Sequence, residues 1–141
     1  MAQKHTPTLA RELIPHFKHT LIETNGTYPL ADLPPEIHKI IDLKPPSSKI
    51  PFEPEILQQN LPYITPRDEF KILIADETDY NWAKSQIQTY ALTDLTLVNL
   101  SPVHPLLPQA TLIEWILRDA LPVRFNMQIH KSVWEPDKRG V

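Results

Sequence analysis

Asp42 and Lys44 stand two positions apart at the end of a short apolar run, and Ser47 and Ser48 follow directly after Pro45-Pro46. Residues two apart in an extended strand share a face, so this carboxylate and ammonium point the same way. A lysine placed there is a mobile point charge that can pair with a carboxylate or with sugar hydroxyls, and the serines add hydroxyl and backbone donors. The same residues also read as an ordinary Asp–Lys pair followed by a serine turn. An earlier apolar run, Leu21-Ile22, ends in Glu23, Asn25 and Thr27, with Asn25-Gly26 a turn signal in its own right because both residues tolerate positive φ. Ser101-Pro102-Val103 closes a later run, and Gln128, His130 and Lys131 lie on the last one. Carboxyl ends of parallel strands line the active sites of α/β proteins, so successive polar ends predict one polar rim. His5, His16, His19, His38 and His104 show no metal-ligand spacing, and the chain has no nucleophile–base set, phosphate loop or zinc motif. No catalytic residue and no metal ligand are assigned.

Those side chains need a scaffold that alternates helix and strand. Leu9, Leu13, Ile14 and Phe17 predict a helix over 8–17 that Pro15 ends or kinks near Ile14. Strands are expected at 19–23, 37–43, 69–75, 95–100 and 123–129. The run at 69–75 is nearly continuously apolar, the kind expected when both faces of a sheet are covered. Helices are expected at 54–61, with Pro54 in the first turn, and from a cap at Thr78 or Asp79 through Trp82, Ala83, Ile87 and Tyr90. A third, over 109–120, has a broad apolar face from Leu112, Ile113, Trp115, Ile116 and Leu117. The alternation is an α/β pattern with a mainly parallel sheet, in one domain or one part of a domain. Sixteen prolines against two glycines, with eight of the prolines crowded between 34 and 66, predict stiff connections in that region.

At 141 residues the chain can bury a sizeable core. A net charge of −3 gives no reason to expect nucleic acid or an anionic membrane as partner. With no cysteine, disulfides are excluded and the redox compartment cannot be read. No apolar run approaches the roughly 18 residues of a spanning helix. Met1-Ala2-Gln3-Lys4-His5-Thr6-Pro7 has no apolar signal core, so a soluble cytoplasmic protein is the expectation.

Several segments match one family in order. They are Glu23-Thr24-Asn25-Gly26-Thr27, Asp42-Leu43-Lys44 with Pro46-Ser47-Ser48, and Arg67-Asp68-Glu69-Phe70-Lys71-Ile72 running on to Asp76. Asp79-Tyr80-Asn81-Trp82-Ala83, Asn99-Leu100-Ser101-Pro102-Val103, Leu121 to Lys131, Trp134 and Arg139-Gly140-Val141 complete the set. Together they resemble the 7-carboxy-7-deazaguanine synthase family of radical S-adenosylmethionine enzymes, across nearly the whole chain. The resemblance implies a partial radical S-adenosylmethionine β/α barrel, with residues 1–141 as the carboxyl-terminal part of that domain and the first two runs as its fifth and sixth strands. It implies conversion of 6-carboxy-5,6,7,8-tetrahydropterin to 7-carboxy-7-deazaguanine with loss of ammonia, on the route to queuosine and other 7-deazapurines. It also implies a [4Fe–4S] cluster that cleaves S-adenosylmethionine and a Mg2+ ion that orders the substrate. By the resemblance, Asn25, Asp42, Lys44, Ser47 and Ser48 contact S-adenosylmethionine, and Ser101, Pro102 and Val103 lie near its adenine. Gln128, His130 and the terminal carboxylate of Val141 are the implied substrate contacts, although a lone histidine on an apolar segment is more often structural.

The departure from the family is as specific as the match. The family's three cysteines, spaced C-x₃-C-x₂-C or nearly so, have no counterpart here, and cluster ligation needs thiolates. Its Gly-Gly-Glu-Pro segment and its magnesium-binding threonine are also missing. The chain therefore reads as the carboxyl-terminal portion of such an enzyme, inactive alone, with a homodimeric copy or an amino-terminal half as partner. A non-enzymatic remnant or interaction module and a stand-alone small-molecule binder are the competing readings. An incomplete sheet whose first strand is an apolar edge is expected to aggregate or oligomerise.

Overall fold

Burial that alternates along His38–Leu43 and Glu69–Ile74 sets the architecture. In the computed structural model, which describes residues 5–128, five strands form one sheet in the order β1-β2-β3-β4-β5. They are β1 (Leu21–Thr24), β2 (His38–Leu43), β3 (Glu69–Ile74), β4 (Leu97–Pro102) and β5 (Arg124–Phe125), and every adjacent pair is parallel. The helices are α1 (Thr6–Leu13), α2 (Pro54–Asn60), α3 (Glu77–Thr89), α4 (Leu92–Leu95) and α5 (Gln109–Arg118). Sequential order with parallel pairing sends each connection back over the same face, which makes an arc of a β/α barrel. Among the described residues the arc is not closed: β1 pairs only with β2, and β5 only with β4. No described helix is long and apolar enough to cross a membrane.

One face of the arc is packed under the helices. Ile41, Leu43, Phe70, Ile72, Ile74, Val98 and Leu100 join Tyr80, Ala83 and Ile87 of α3, Leu92 of α4, and Leu112 and Ile116 of α5 in a single core. Burying each such side chain contributes roughly 1.5–3 kcal/mol, enough to dock helices whose isolated stability in water is marginal. The other, concave face carries Glu23, Asp42, Glu69, Lys71, Asn99 and Arg124 at the alternate positions. The expectation that 69–75 is covered on both faces is therefore corrected. Phe70, Ile72 and Ile74 are fully buried while Glu69, Lys71 and Leu73 are half-buried.

Boundaries shift for local reasons. The first strand begins at Leu21, not at His19, and the helix before it gives way at Ile14 to a tight 3-10 turn, Ile14–His16, that holds Pro15. Asp76, rather than Thr78 or Asp79, caps α3 by accepting the Asp79 backbone N–H at 2.9 Å. The stretch from Leu92 to Leu100 is divided between α4 and β4, so β4 starts two residues later than expected and Ser101 and Pro102 lie inside the strand. β5 is shorter than 123–129: Arg124–Phe125 is its described extent.

The amino ends of β2 and β3 are pinned by a buried ion pair. Lys39 is 2% exposed and Asp68 1%. The Lys39 Nζ stands 3.0 Å from Asp68 Oδ2, and Asp68 Oδ1 accepts the Lys39 backbone N–H at 2.7 Å. Oδ2 also accepts from the Thr65 backbone N–H and hydroxyl, at 2.7 and 3.0 Å. A desolvated carboxylate is tolerated only when so fully paired.

Candidate functional site

The opposite, carboxyl ends of the strands hold the polar rim. Pairing of Leu21 with His38 through Thr24 with Ile41 brings Asn25, just past β1, beside Asp42. Lys44, just past β2, lies 2.5 Å from Asp42 Oδ2, while Asp42 Oδ1 is buried with no partner. Lys44 lines two cavities. One, of ≈ 260 Å³, is shared with Glu23, Thr24, Asn25 and Asp42. The other, of ≈ 250 Å³, is bounded by Pro45, Ser47, Ser48, Leu73, Ala75, Val103 and Leu106. Apolar walls beside a mobile cation suit a ligand with a flat ring at one end and charged or hydroxylated groups at the other.

Each rim segment is held from below. Gly26 has φ +69°, and the Asn25 Oδ1 accepts from the Thr27 hydroxyl at 2.8 Å, closing a local turn. Asn60 of α2, 3% exposed, secures that loop: its Nδ2 donates to the Gly26 and Tyr28 carbonyls at 3.2 and 3.0 Å, and its Oδ1 accepts the Leu30 N–H at 2.8 Å. The short turn Pro46–Ser48 after β2 is fastened to α3 by Asp79, which is wholly buried. Asp79 accepts the Ser47 backbone N–H at 3.0 Å and the Ser47 hydroxyl at 2.5 Å, and also the Ala75 N–H at 3.0 Å. Both donors of Ser47 are thus engaged within the chain. The Ser48 hydroxyl oxygen accepts the Ile50 N–H at 3.2 Å and keeps its proton for another acceptor.

The structure brings Asn25, Asp42, Lys44, Ser47, Ser48 and Val103 to one rim. Pro102 and Gln128 line a different cavity of ≈ 180 Å³ together with His104 and Gln109, where the Gln128 Oε1 has no partner. Ser101 is fully buried in β4 with its hydroxyl unpartnered. His130 and Val141 lie outside the described residues.

Three positions that sequence reading passed over belong to the same neighbourhood. Lys71 is in register with Asp42 on one side and Asn99 on the other, and Asn99 is in register with Arg124. The Asn99 Nδ2 donates to Glu69 Oε2 at 2.6 Å, and the His38 Nε2 stands 3.6 Å from Glu69 Oε1. The available signal was polar residues at alternate positions, Glu69, Lys71, Asn99 and Ser101, which the apolar character of the runs concealed.

A further charged cluster serves the helical layer rather than the rim. Asp119, just past α5, accepts from Lys84 Nζ at 2.8 Å, Arg118 Nε at 3.0 Å and the Tyr80 hydroxyl at 3.1 Å. The hydrogen bonds from Arg118 and then Lys84 hold the Asp119 carboxyl well below the usual carboxylate range. Burial first, and then Asp119, push the Tyr80 phenol up to about 12. Among the described residues no group of three or more His, Asp or Glu is placed to hold a metal ion.

No protein-family model matches the chain. A protein named 7-carboxy-7-deazaguanine synthase from Chlorobaculum tepidum is 43% identical over 122 residues, covering 86% of this chain and 56% of that protein. Another of the same name, from Koribacter versatilis, is 34% identical over 151 residues, covering 93% of this chain and 66% of its own length. The chain therefore spans between about half and two thirds of these relatives. Among solved structures, the crystal structure of QueE from Escherichia coli matches with a TM-score of 0.59 at 20% identity, over 85% of this chain and 48% of that one. That likeness establishes a shared α/β fold. Over the stretch it spans, and across most of its own length, the chain is a homologue of the proteins named 7-carboxy-7-deazaguanine synthase.

Proposed function

We propose that this chain is the carboxyl-terminal part of a cytoplasmic 7-carboxy-7-deazaguanine synthase and supplies portions of its S-adenosylmethionine and substrate pockets. The observation that carries the proposal is Lys44, which stands between a polar cavity containing Asn25 and Asp42 and an apolar one containing Ser48 and Val103. In this reading Leu73, Ala75, Val103 and Leu106 receive the adenine ring, Lys44 and Ser48 bind the polar part of the cosubstrate, and Gln128 faces the substrate. The work of these residues is binding, orientation and exclusion of water.

The cofactors divide by fit. The rim offers S-adenosylmethionine apolar walls, a cation and the unpartnered Asp42 oxygen. A [4Fe–4S] cluster needs thiolates and this chain has no cysteine, so its residues cannot hold one. Nor does a carboxylate or histidine set among the described residues fit Mg2+. Held by thiolates from outside this chain, the cluster would supply one-electron reducing power, while Lys44 and Ser48 would hold the cosubstrate. A second polypeptide or segment carrying those ligands is therefore part of the proposal, and the open edge of β1 gives it a place to pair. The same edge equally favours a non-enzymatic interaction module.

The test mixes this chain with the segment of the Chlorobaculum relative that lies outside the match, reconstitutes cluster anaerobically, and assays 7-carboxy-7-deazaguanine. Product from the mixture and from neither part alone is expected. Co-purification of the two halves without S-adenosylmethionine binding or product would favour the interaction module. Stoichiometric iron and sulfide on the isolated chain would overturn the division of labour.

A further inference from the structure

The turn Pro46–Ser48 is stiff in itself. Pro45 and Pro46 fix two successive φ angles, and two backbone hydrogen bonds close the turn around them. The Ser48 N–H donates to the Pro45 carbonyl at 3.0 Å, and the Lys49 N–H to the Pro46 carbonyl at 3.1 Å. A unit closed by its own hydrogen bonds moves as one body, so its place depends on what fastens it to the rest of the fold. Covalently it follows β2 through Lys44 and Pro45. Its polar fastening is Asp79, the third residue of α3.

Asp79 holds two strand ends at once. Its Oδ1 accepts the Ser47 N–H at 3.0 Å, and its Oδ2 accepts the Ser47 hydroxyl at 2.5 Å and the Ala75 N–H, just past β3, at 3.0 Å. The side chain has no contact with water and makes no ion pair with a lysine or arginine among the described residues. A carboxylate that far from solvent is tolerated only while its donors stay in place, so turn and carboxylate hold each other. The cavity of ≈ 250 Å³ lies between the same two groups of residues: Pro45, Ser47 and Ser48 from the turn, and Leu73 and Ala75 from the end of β3. One carboxylate therefore ties both walls together. Farther along the connection, Phe52 meets Trp82 of α3 edge to face, with ring centroids 5.1 Å apart. Loss of the Asp79 link thus frees the turn and leaves the rest of the connection docked.

We propose that Asp79 is a positioning residue that sets the width of this cavity, and that Ser47 serves the cavity only through Asp79. The proposal rests on the functional reading above, in which the cavity receives the adenine of S-adenosylmethionine, and deepens it. Ser48, whose hydroxyl proton is uncommitted, is the direct contact; Ser47 and Asp79 place it.

The experiment titrates the full 141-residue chain with S-adenosylmethionine in a calorimeter and follows amide hydrogen exchange at Ser47. Asp79→Asn is expected to speed that exchange and to weaken binding about five- to thirtyfold, the cost of fixing roughly one residue's backbone when the ligand binds. Ser47→Ala, which keeps the backbone N–H, should weaken binding by a smaller factor with an unchanged melting curve. The double variant should bind no worse than Asp79→Asn, because both changes remove one link. Ser48→Ala should weaken binding without touching Ser47 exchange. Faster exchange with wild-type affinity in Asp79→Asn makes the link merely structural and overturns the proposal, with the functional reading left standing. Effects of Asp79→Asn and Ser47→Ala that multiply in the double variant also overturn it. If Asp79→Asn does not fold, Ser47→Ala decides alone: wild-type affinity there overturns the proposal. Wild-type chain that binds no S-adenosylmethionine overturns the functional reading and the proposal together.

Discussion

Gly26 is the residue on which the first rim loop turns. Its φ of +69° lies in the left-handed region, and a Cβ built there would meet Ile41 Cγ2 at 3.0 Å. Left-handed backbone costs a non-glycine residue about 1–2 kcal/mol, so Gly26→Ala should destabilise the chain by at least that amount in urea unfolding. The Asp119 cluster sets the response to pH. Its carboxyl is depressed in the folded chain, so its stabilising effect is full above the ordinary carboxylate range and is lost as pH falls below it. Tyr80 has the opposite sign: its phenol is raised to about 12, so folding gains from it below pH 10 and loses that gain between about pH 10 and 12. Melts recorded against pH should show both flanks, and Tyr80→Phe should remove the alkaline one. At this scale the sequence was half legible. Asn25-Gly26 announces its turn because the conformational need is local. The tether of Ser47 by Asp79 crosses 32 residues and has no local sign.

Among the elements, the pairing of β2 with β3 depends on a charge that has left water. Removing one member of a buried pair typically costs 3–5 kcal/mol because the other is stranded. Lys39→Met should fall in about this range, and Asp68→Ala should cost more, because it also strips acceptors from the Lys39 and Thr65 backbone N–H groups. Chemical denaturation of both variants checks the order, and Lys39→Met as the worse of the two would show that the carboxylate is not the hub. The elements themselves were largely readable, since α3 and α5 declare their apolar spacing and β2 its proline-bounded run. The division of the stretch from Leu92 to Leu100 between α4 and β4 was not readable, because Leu92, Leu95 and Leu97 fall at spacings that suit either a helix or a strand and only tertiary packing decides between them. The same ambiguity hid the concave face. Lys71 inside Phe70-Lys71-Ile72 looks like an interruption until the register sets it beside Asp42 and Asn99.

For the molecule as a whole, the open arc has two unpaired edges among its described residues, and Leu21 on the β1 edge is 50% exposed. Exposed backbone donors beside apolar surface template association, so light scattering after size exclusion should find species larger than the monomer. A cysteine-bearing amino-terminal half added in trans should shift them to a defined complex with a higher melting temperature. A monodisperse monomer with a cooperative melt would mean that the chain closes its own core. The strand order carries one more consequence. Because β1 to β5 lie in the sheet as they lie in the chain, each strand depends only on its sequence neighbours. Loss of an outer strand therefore leaves the inner pairings intact, and the arc can open one unit at a time from either side. Amide hydrogen exchange should record this as a gradient: slowest at Phe70, Ile72 and Ile74 on the central strand, and progressively faster toward Leu21 and Phe125.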